Sequence, residues 1–337
     1  MAERQGSELI IGGEGDDRLY HIGFGRREKV PNNMILVGDP NRVDTVTEFF
    51  DNGKVEGAVA HREFVTKWGR YKGMPVAAMG TGIGTDNTEI AIMERMAADE
   101  WNPDTQSWGS SVKRTMIRVG TSGSPQKNIP LGSLAIAEHA IGLDNTGLNY
   151  LHHPRVEDYA DKEFGPFYTP GNRHAKAIFE SVRALLGNAL FQPYVSTLTP
   201  YVAQTIHAQA RAHGFPDHEG AGVYSGITTS APGFFAPQGR SIGRLGNIAI
   251  PNLQEKLAEI LVPRFAGHGR PPLRALNNEM ESSVLGRLNG EILGDNVGAV
   301  CLVIANRQEG SFISGEDMQK GIRKAIKVAL DTLHSLQ

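Results

Sequence analysis

Apolar residues along this chain gather in short runs closed by glycine, separated by stretches whose apolar positions return every three or four residues. The first periodicity predicts buried strands and the second amphipathic helices. Residues 34–37 form the first strand, which runs into Gly38-Asp39-Pro40. Over 42–50 a helix follows, with Val43, Val46, Phe49 and Phe50 on one side. Strands are predicted at 55–59, 63–68 and 75–79, the last breaking at Gly80-Thr81-Gly82-Ile83-Gly84, and a helix at 86–98. Further strands fall at 115–119, ending at Gly120, and at 132–137.

Beyond a turn-rich, aromatic segment at 142–170, expected to be an ordered surface insertion, helices are predicted at 173–187, 199–213 and 251–265. Strands are predicted at 222–225 and 274–276. A helix over 279–290, a buried strand over 299–305 and an amphipathic helix over 315–336 complete the pattern. Strands and helices alternate without a polar linker or internal repeat, which predicts one α/β domain over 31–337 around a largely buried sheet. Residues 1–30 show little periodicity and read as a mobile or partner-packed N-terminal arm. Active residues are then expected where strands end in glycine turns.

Composition narrows the class. Of 337 residues, 40 are Gly and 18 Pro, spread between the apolar runs and without period, so collagen-like and linker readings fail. With 34 Lys+Arg against 37 Asp+Glu, the net charge of −3 supplies no basic field for nucleic acid or anionic lipid. One cysteine, Cys301, excludes a disulfide framework and sits in an apolar run as a small hydrophobe. No signal-peptide core or bilayer-length apolar stretch is present, and a soluble, cytoplasmic protein is expected.

Several segments place polar residues directly after apolar runs. Gly38 would let backbone approach a ligand, the next helical turn offers free N–H groups, and Arg42 adds a cation, a set suited to phosphate. Taken alone, it is better explained as a strand–turn–helix junction with a solvated arginine. His61-Arg62-Glu63-Phe64, taken alone, reads as an exposed edge. Arg118 lies within an apolar strand, where an unpaired charge is costly, so it must meet an anion: a structural carboxylate or, favoured with Thr121 beside it, a ligand. Glu279 and Glu281 open a helix, where carboxylates complement the dipole, or one of them grips a vicinal diol. Phe234, Gln238 and Arg240 could hold a heteroaromatic ring by stacking and by edge hydrogen bonds. Two other motifs are set aside. Residues 80–85 carry Thr85 where the dinucleotide-binding pattern needs its third glycine, and His152-His153 has no second ligand cluster at metal-binding spacing. No metal site is predicted.

Seven segments, GDPNRV (38–43), HREF (61–64), GTGIG (80–84), IRVGTSG (117–123), FFAPQGR (234–240), NEMES (278–282) and VIANR (303–307), together resemble the nucleoside phosphorylases of the trimeric or hexameric fold type. Within that family the resemblance is to the uridine-cleaving branch. It implies a three-layer α/β/α fold around a mixed, partly barrel-like sheet. It also implies reversible phosphorolysis of uridine, with deoxyuridine a further substrate, to uracil and α-ribose 1-phosphate. By resemblance, Gly38, Arg42, Arg118 and Thr121 match the phosphate site, and Arg62 matches an arginine given to the neighbouring subunit's phosphate. His21 matches the histidine that crosses the same interface to the ribose, Met280 and Glu281 match the ribose contacts, and Phe234, Gln238 and Arg240 match the base site. Arg118, Glu281 and Arg240 are the expected catalytic residues. A homodimer would be the smallest active unit, assembled into a homohexamer, acting on a small nucleoside and phosphate with no cofactor, no nucleic acid and no membrane.

Purine-cleaving members carry an aspartate near 306–307, where this chain has Asn306-Arg307, and the related nucleosidases lack the arginine matched by Arg42. Both differences favour a pyrimidine and phosphate over the alternatives on this fold, a purine phosphorylase or a nucleosidase. The preserved arginines and Glu281 argue against a catalytically dead nucleoside-binding protein. Departures from the family pattern are Asn278 in place of an aromatic, Pro237 in place of a glycine, and additional residues near 101–112 and 142–170. A monovalent cation between subunits through Glu63 and Ile83 is implied in some members, but Asn87 replaces the usual serine.

Overall fold

A computed structural model describes residues 17–150, 167–169, 171–187, 192–245, 250–265 and 270–337. Fourteen strands are found among them. They are β1 (Asn33–Val37), β2 (Val55–His61), β3 (Phe64–Tyr71), β4 (Met74–Gly80), β5 (Trp101–Asn102), β6 (Ser107–Trp108) and β7 (Thr115–Ser124). Then follow β8 (Leu134–Gly142), β9 (Tyr194–Thr197), β10 (Val223–Ser230), β11 (Leu261–Val262), β12 (Leu273–Glu279), β13 (Asn296–Asn306) and β14 (Ser311–Phe312). The helices are α1 (Arg42–Thr47), α2 (Thr85–Glu100), α3 (Arg173–Leu186), α4 (Pro200–Ala212), α5 (Leu253–Ala258), α6 (Ser282–Val284) and α7 (Gly315–Ser335). After α6 the chain widens into a π-helix over Leu285–Leu293.

The main sheet runs β11-β12-β10-β8-β13-β7-β1-β4-β3-β2, with β9 beside β8 and β14 beside β13. Parallel and antiparallel pairs are mixed. One further pairing, Asn278 on β12 with Gly123 on β7, joins β7, β13, β8, β10 and β12 into a ring. The sheet is therefore partly closed into a barrel, and β1, β4, β3 and β2 extend from β7 as an open wing, while β5 and β6 pair apart as a small hairpin.

Alternation across the strands explains the layers. Ile35, Val37, Ile117 and Val119 face one side and pack with Val202 and Ile206 of α4 and Ile326 and Leu330 of α7. Met34, Leu36 and Met116 face the other, against Ala91 and Ile92 of α2 and Val284 and Leu288 of the α6 segment. Helices cover both faces, so the strands read as continuous apolar runs and the three-layer expectation holds. Residues 17–30, assigned to the N-terminal arm, place Leu19, Ile22, Phe24 and Val30 in the second cluster. Residues 1–16, most of the 142–170 insertion and His152-His153 lie outside the described residues.

Several predicted boundaries move. Strand β7 does not end at Gly120: it continues to Ser124, and the glycine makes room for a neighbour, since a Cβ there would fall 1.9 Å from Nη1 of Arg118. The helix predicted over 251–265 is only α5, because the chain turns into β11 at Leu261, where Leu261 and Val262 pair with Arg274 and Leu273. Glu279 belongs to β12 rather than to the helix after it.

Candidate active site

Strand β1 stops at Val37, while β7 beside it runs on for several residues. Past Arg118, β7 has lost its β1 neighbour and does not meet β12 until Gly123. The gap opens a cleft of about 260 Å³ at the seam of the barrel, lined by Gly38, Arg42, Arg118, Thr121, Phe234, Gln238, Arg240, Met280 and Glu281 among others. These nine residues come from four of the seven segments named above, 38–43, 117–123, 234–240 and 278–282, and Ile83 and Arg307 add two more, 80–84 and 303–307. Topology thus gathers residues spread from 38 to 281 at one place.

Arg118 forms the floor. Its Nη2 donates to Glu281, and its Nε lies 3.5 Å from Oε2 of Glu279. Burial alone would lower the Arg118 pKa, but the two carboxylates more than reverse this and hold it above the ordinary value. The anion that this buried arginine had to meet is therefore a structural carboxylate pair, not a ligand alone. The two glutamates differ. Glu279 accepts from the backbone N–H of Glu281 at 3.0 Å and of Ser282 at 3.0 Å, and from the Ser230 hydroxyl. It fixes the start of α6, which is the bland reading of an acidic residue there. Glu281 faces the cleft and accepts from the Gly84 N–H at 3.0 Å. Burial and the nearby Glu279 push its pKa up, against the opposing pull of Arg118.

Gly38 lies beside this pair. A Cβ on it would stand 3.8 Å from Oε1 of Glu281 and 3.9 Å from Nη2 of Arg118. Arg42, one turn on, donates from Nη1 to the Val119 carbonyl at 3.3 Å. Its pKa is lowered by burial and then by the positive charge of Arg118. Two guanidinium groups close enough to repel, sharing an open cleft, make a site that an anion would stabilise.

The opposite wall carries the polar loop 234–240. Arg240 places its Cζ 4.3 Å from the centroid of the Phe234 ring, a cation–π stack at the cleft mouth. Gln238 is buried, and its Oε1 accepts from Nη2 of Arg307 at 3.3 Å. A relay beneath fixes the loop: Asn278 Nδ2 donates to Gln254 Oε1 at 2.5 Å, and Gln254 Nε2 donates to the Gln238 carbonyl at 2.6 Å. Asn278, a departure from the family pattern, thus has a positioning role. Four buried polar atoms of cleft-lining residues, Ser122 Oγ, Arg240 Nη1, Asn278 Oδ1 and Arg307 Nε, have no hydrogen-bond partner among the described residues. Buried polar atoms are normally satisfied, so their convergence on one cleft points to a polar ligand.

His21 and Arg62 do not line this cleft. His21 is held by Glu94, which takes its ring Nδ1 at 2.6 Å and its backbone N–H at 2.9 Å. Arg62 is exposed and stacks its Cζ 4.1 Å from the Tyr20 ring centroid. Cys301 is buried beside Arg118, and burial pushes its thiol up to about 12, which suits a packing residue and not a nucleophile.

The model of the phosphorylase superfamily matches residues 33–334. The chain belongs to the phosphorylase superfamily. Among superfamily relatives, it is 30% identical to a uridine phosphorylase of Thermococcus kodakarensis over 87% of this chain and 79% of that one. It is 25% identical to a uridine phosphorylase of Escherichia coli, covering 94% and 98% of the two chains. A solved superfamily fold, a Trypanosoma brucei nucleoside phosphorylase described as showing uridine phosphorylase activity, superposes with a TM-score of 0.83 and 29% identity. That match covers 97% of this chain and 100% of the other.

Sequence reading missed Arg307, Gln254 and the contrast between the two glutamates. Arg307 follows Asn306, whose amide is spent on the carbonyls of Gln126 and Lys127 and whose Oδ1 takes the N–H of Gln308. The strand end therefore presents a cation to the cleft and its asparagine to the backbone. Burial and then Arg240 lower the Arg307 pKa, so the two cations share this wall.

Proposed function

We propose that the chain catalyses the reversible phosphorolysis of uridine, and of deoxyuridine, to uracil and the α-pentose 1-phosphate. The observation that carries this reading is the pairing, in one cleft, of a two-arginine anion pole with a buried amide–guanidinium wall. The similarity to uridine phosphorylases over most of the chain supports it.

In this reading Arg42, Arg118 and Thr121 hold phosphate against the Gly38 turn, and Arg62 of a second copy closes it. Glu281 accepts from the ribose 2′- and 3′-hydroxyls, Met280 packs on the sugar, and His21 of a second copy reaches the 5′-hydroxyl. Gln238 and Arg240 bind the uracil edge beside Phe234. The Gln238 oxygen held by Arg307 keeps a lone pair for the N3–H, and its NH₂ and the Arg240 guanidinium face carbonyls.

Breaking the C1′–N1 bond builds positive charge on the sugar and negative charge on the departing base. Phosphate, held under C1′, is both nucleophile and counter-charge. The cations at 240 and 307 stabilise the leaving anion. Phosphate attacks C1′ with inversion as the bond to N1 breaks, and the electron pair leaves with uracil. The step calls for no cofactor, and an intersubunit monovalent cation at Glu63 and Ile83 is not part of it. The cationic base wall, with no carboxylate among its described residues to assist protonation of purine N7, favours a pyrimidine.

Because His21 and Arg62 lie away from their own cleft, the dimer is the smallest active unit in this reading, and a hexamer its assembly. No described helix is long and apolar enough to cross a membrane. A cytoplasmic location is part of this reading, and a single buried cysteine suits a reducing compartment. Incubating the protein with uridine, inosine or 5′-methylthioadenosine, each with and without phosphate, tests the proposal. Uridine cleavage that depends on phosphate is expected. Equal cleavage without phosphate, or a preference for the purine nucleosides, would overturn it.

A further inference from the structure

A second cavity, of about 670 Å³, lies apart from the cleft and shares no lining residue with it. It is bounded by Glu138 and His139 of β8, by α4, by the 217–218 turn and by Arg264. On its wall, His207 of α4 and the consecutive Asp217 and His218 bring one ligand atom each within 4.8 Å of one another. We propose that His207, Asp217 and His218 form a site for a zinc-like divalent metal ion, with its fourth position open to the second cavity.

The spacing fits the ion. Nε2 of His207 lies 2.9 Å from Oδ1 of Asp217, and Nε2 of His218 lies 3.8 Å from the same oxygen. A tetrahedral centre with bonds of about 2.1 Å separates its donors by roughly 3.4 Å, between these two values. Two imidazoles on one such ion set their ring centroids about 5 Å apart. Here the separation is 5.6 Å. Two ring nitrogens and one carboxylate oxygen select a first-row metal of zinc type over calcium or magnesium, which prefer oxygen-only cages.

The frame around the donors is built. Ser225 Oγ stands 2.7 Å from Nδ1 of His207. By accepting from Nδ1–H, it would leave Nε2 as the free donor nitrogen, as the hydrogen bond on the far ring nitrogen does for metal-bound histidine. The turn is tied to β10 by two hydrogen bonds, His218 N–H to the Val223 carbonyl at 3.0 Å and Val223 N–H to the Pro216 carbonyl at 2.8 Å. His218 holds φ at +52°, a left-handed conformation unusual for a non-glycine residue. Such local strain is commonly found where a side chain is aimed at a ligand. Arg211 approaches Asp217 at 3.6 Å through the other carboxylate oxygen, Oδ2, and so leaves Oδ1 to the ion. The competing account is a plain hydrogen bond in which the Ser225 hydroxyl donates to Nδ1 and an Nε2 proton occupies the gap to Asp217.

The two accounts separate in a titration of the full-length, metal-stripped protein with Co²⁺, followed by its visible d–d absorption and then displaced by Zn²⁺. One equivalent of Co²⁺ with the intense bands of a four- or five-coordinate centre is expected, as is a rise in melting temperature with Zn²⁺. His218→Gln and Asp217→Asn should each weaken Zn²⁺ at least tenfold, and Ser225→Ala, which keeps all three ligands, by about 10–100-fold. Melting of the metal-free variants reports whether each still folds, and any one that does is sufficient for the comparison. Absent bands, no Zn²⁺ shift in the parent protein, or unchanged affinity in a folded His218→Gln or Asp217→Asn protein would overturn the proposal.

Discussion

Arg118 and Glu281 form an ion pair across 163 residues of sequence, at the point where β7 outruns β1 and β12 gives way to α6. Both side chains are almost fully buried, and each is assigned a different part of the substrates: phosphate for one and ribose for the other. The pair holds each group in place before substrate arrives, which is how binding energy becomes orientation at the reacting carbon. Removing Arg118 leaves the Glu281 carboxylate buried without its cation. Arg118→Ala should therefore cost both stability, by about 3–5 kcal/mol, and turnover, by about 10²-fold or more. Chemical denaturation and initial rates on the same sample check both. Loss of one without the other would separate the structural and catalytic roles assigned to this arginine.

Arg42 behaves differently, because among the described residues its guanidinium donates to a backbone carbonyl rather than to a carboxylate, and Arg118 repels it. Arg42→Ala should raise the phosphate KM and lower kcat/KM for phosphate by about 10²-fold, with little or no loss of stability. Initial rates at varied phosphate, with uridine saturating, measure it. An unchanged phosphate KM would remove Arg42 from the site.

In the proposed reading, base recognition depends on Gln238 being held from beneath. Gln254→Leu breaks the relay between Asn278 and the Gln238 carbonyl while leaving every proposed substrate contact in place. The uridine KM should rise about 10-fold, a loss of order 1.4 kcal/mol, comparable with one buried hydrogen bond. The phosphate KM should hold. Direct truncation, Arg240→Ala, should depress uridine turnover further and inosine turnover much less.

His139 gives the fold an acid-sensitive point. Burial in β8 lowers its pKa from 6.5 to about 4, and its Nδ1 sits 3.1 Å from Thr197 Oγ1. A histidine depressed in the folded state takes its proton first in the unfolded state. Its contribution is therefore complete above pH 6.5 and lost as pH falls toward 4, by on the order of 3 kcal/mol. His139→Gln should flatten the stability profile across that window. Denaturation midpoints at intervals between pH 4 and 7 would show it, and parallel profiles for the two proteins would refute it.

If the active unit is a dimer, two inactive variants should complement. Arg62→Ala spoils the site it is proposed to complete on the other copy, and Arg118→Ala spoils its own. A mixed dimer therefore carries one site with both defects and one with neither. Co-refolded mixtures should recover a substantial fraction of parent activity, whereas each variant alone stays inactive. No recovery from dimers shown to be mixed would place both arginines in one chain's site.

Much of this architecture was legible in the chain because the sheet is covered on both faces, so apolar runs such as 34–37 and 115–119 announce strands without ambiguity. Glycine was the main source of error. Gly120 looks like a strand end, yet it is the space that Arg118 occupies. Between 253 and 260, apolar residues at helical spacing hide the turn into β11, which is fixed by pairing with a strand far along the chain. Residue types at 38–42, 118–121, 234–240 and 280–281 were enough to nominate the cleft. The Gln254 relay and Arg307 were not, since each acquires meaning only from what the fold sets beside it. The same holds for His207 and the Asp217-His218 pair: their spacing resembles no ligand motif, and α4 with β10 creates the cluster.

The most direct test of the anion pole is a crystal of the protein grown with phosphate and a non-cleavable uridine analogue. The account predicts one phosphate bridged by Arg42 and Arg118 beneath the analogue's C1′, with Glu281 turned to the 2′- and 3′-hydroxyls and Gln238 and Arg240 on the uracil edge. A phosphate bound elsewhere, or an analogue seated with its base toward Arg42, would contradict it.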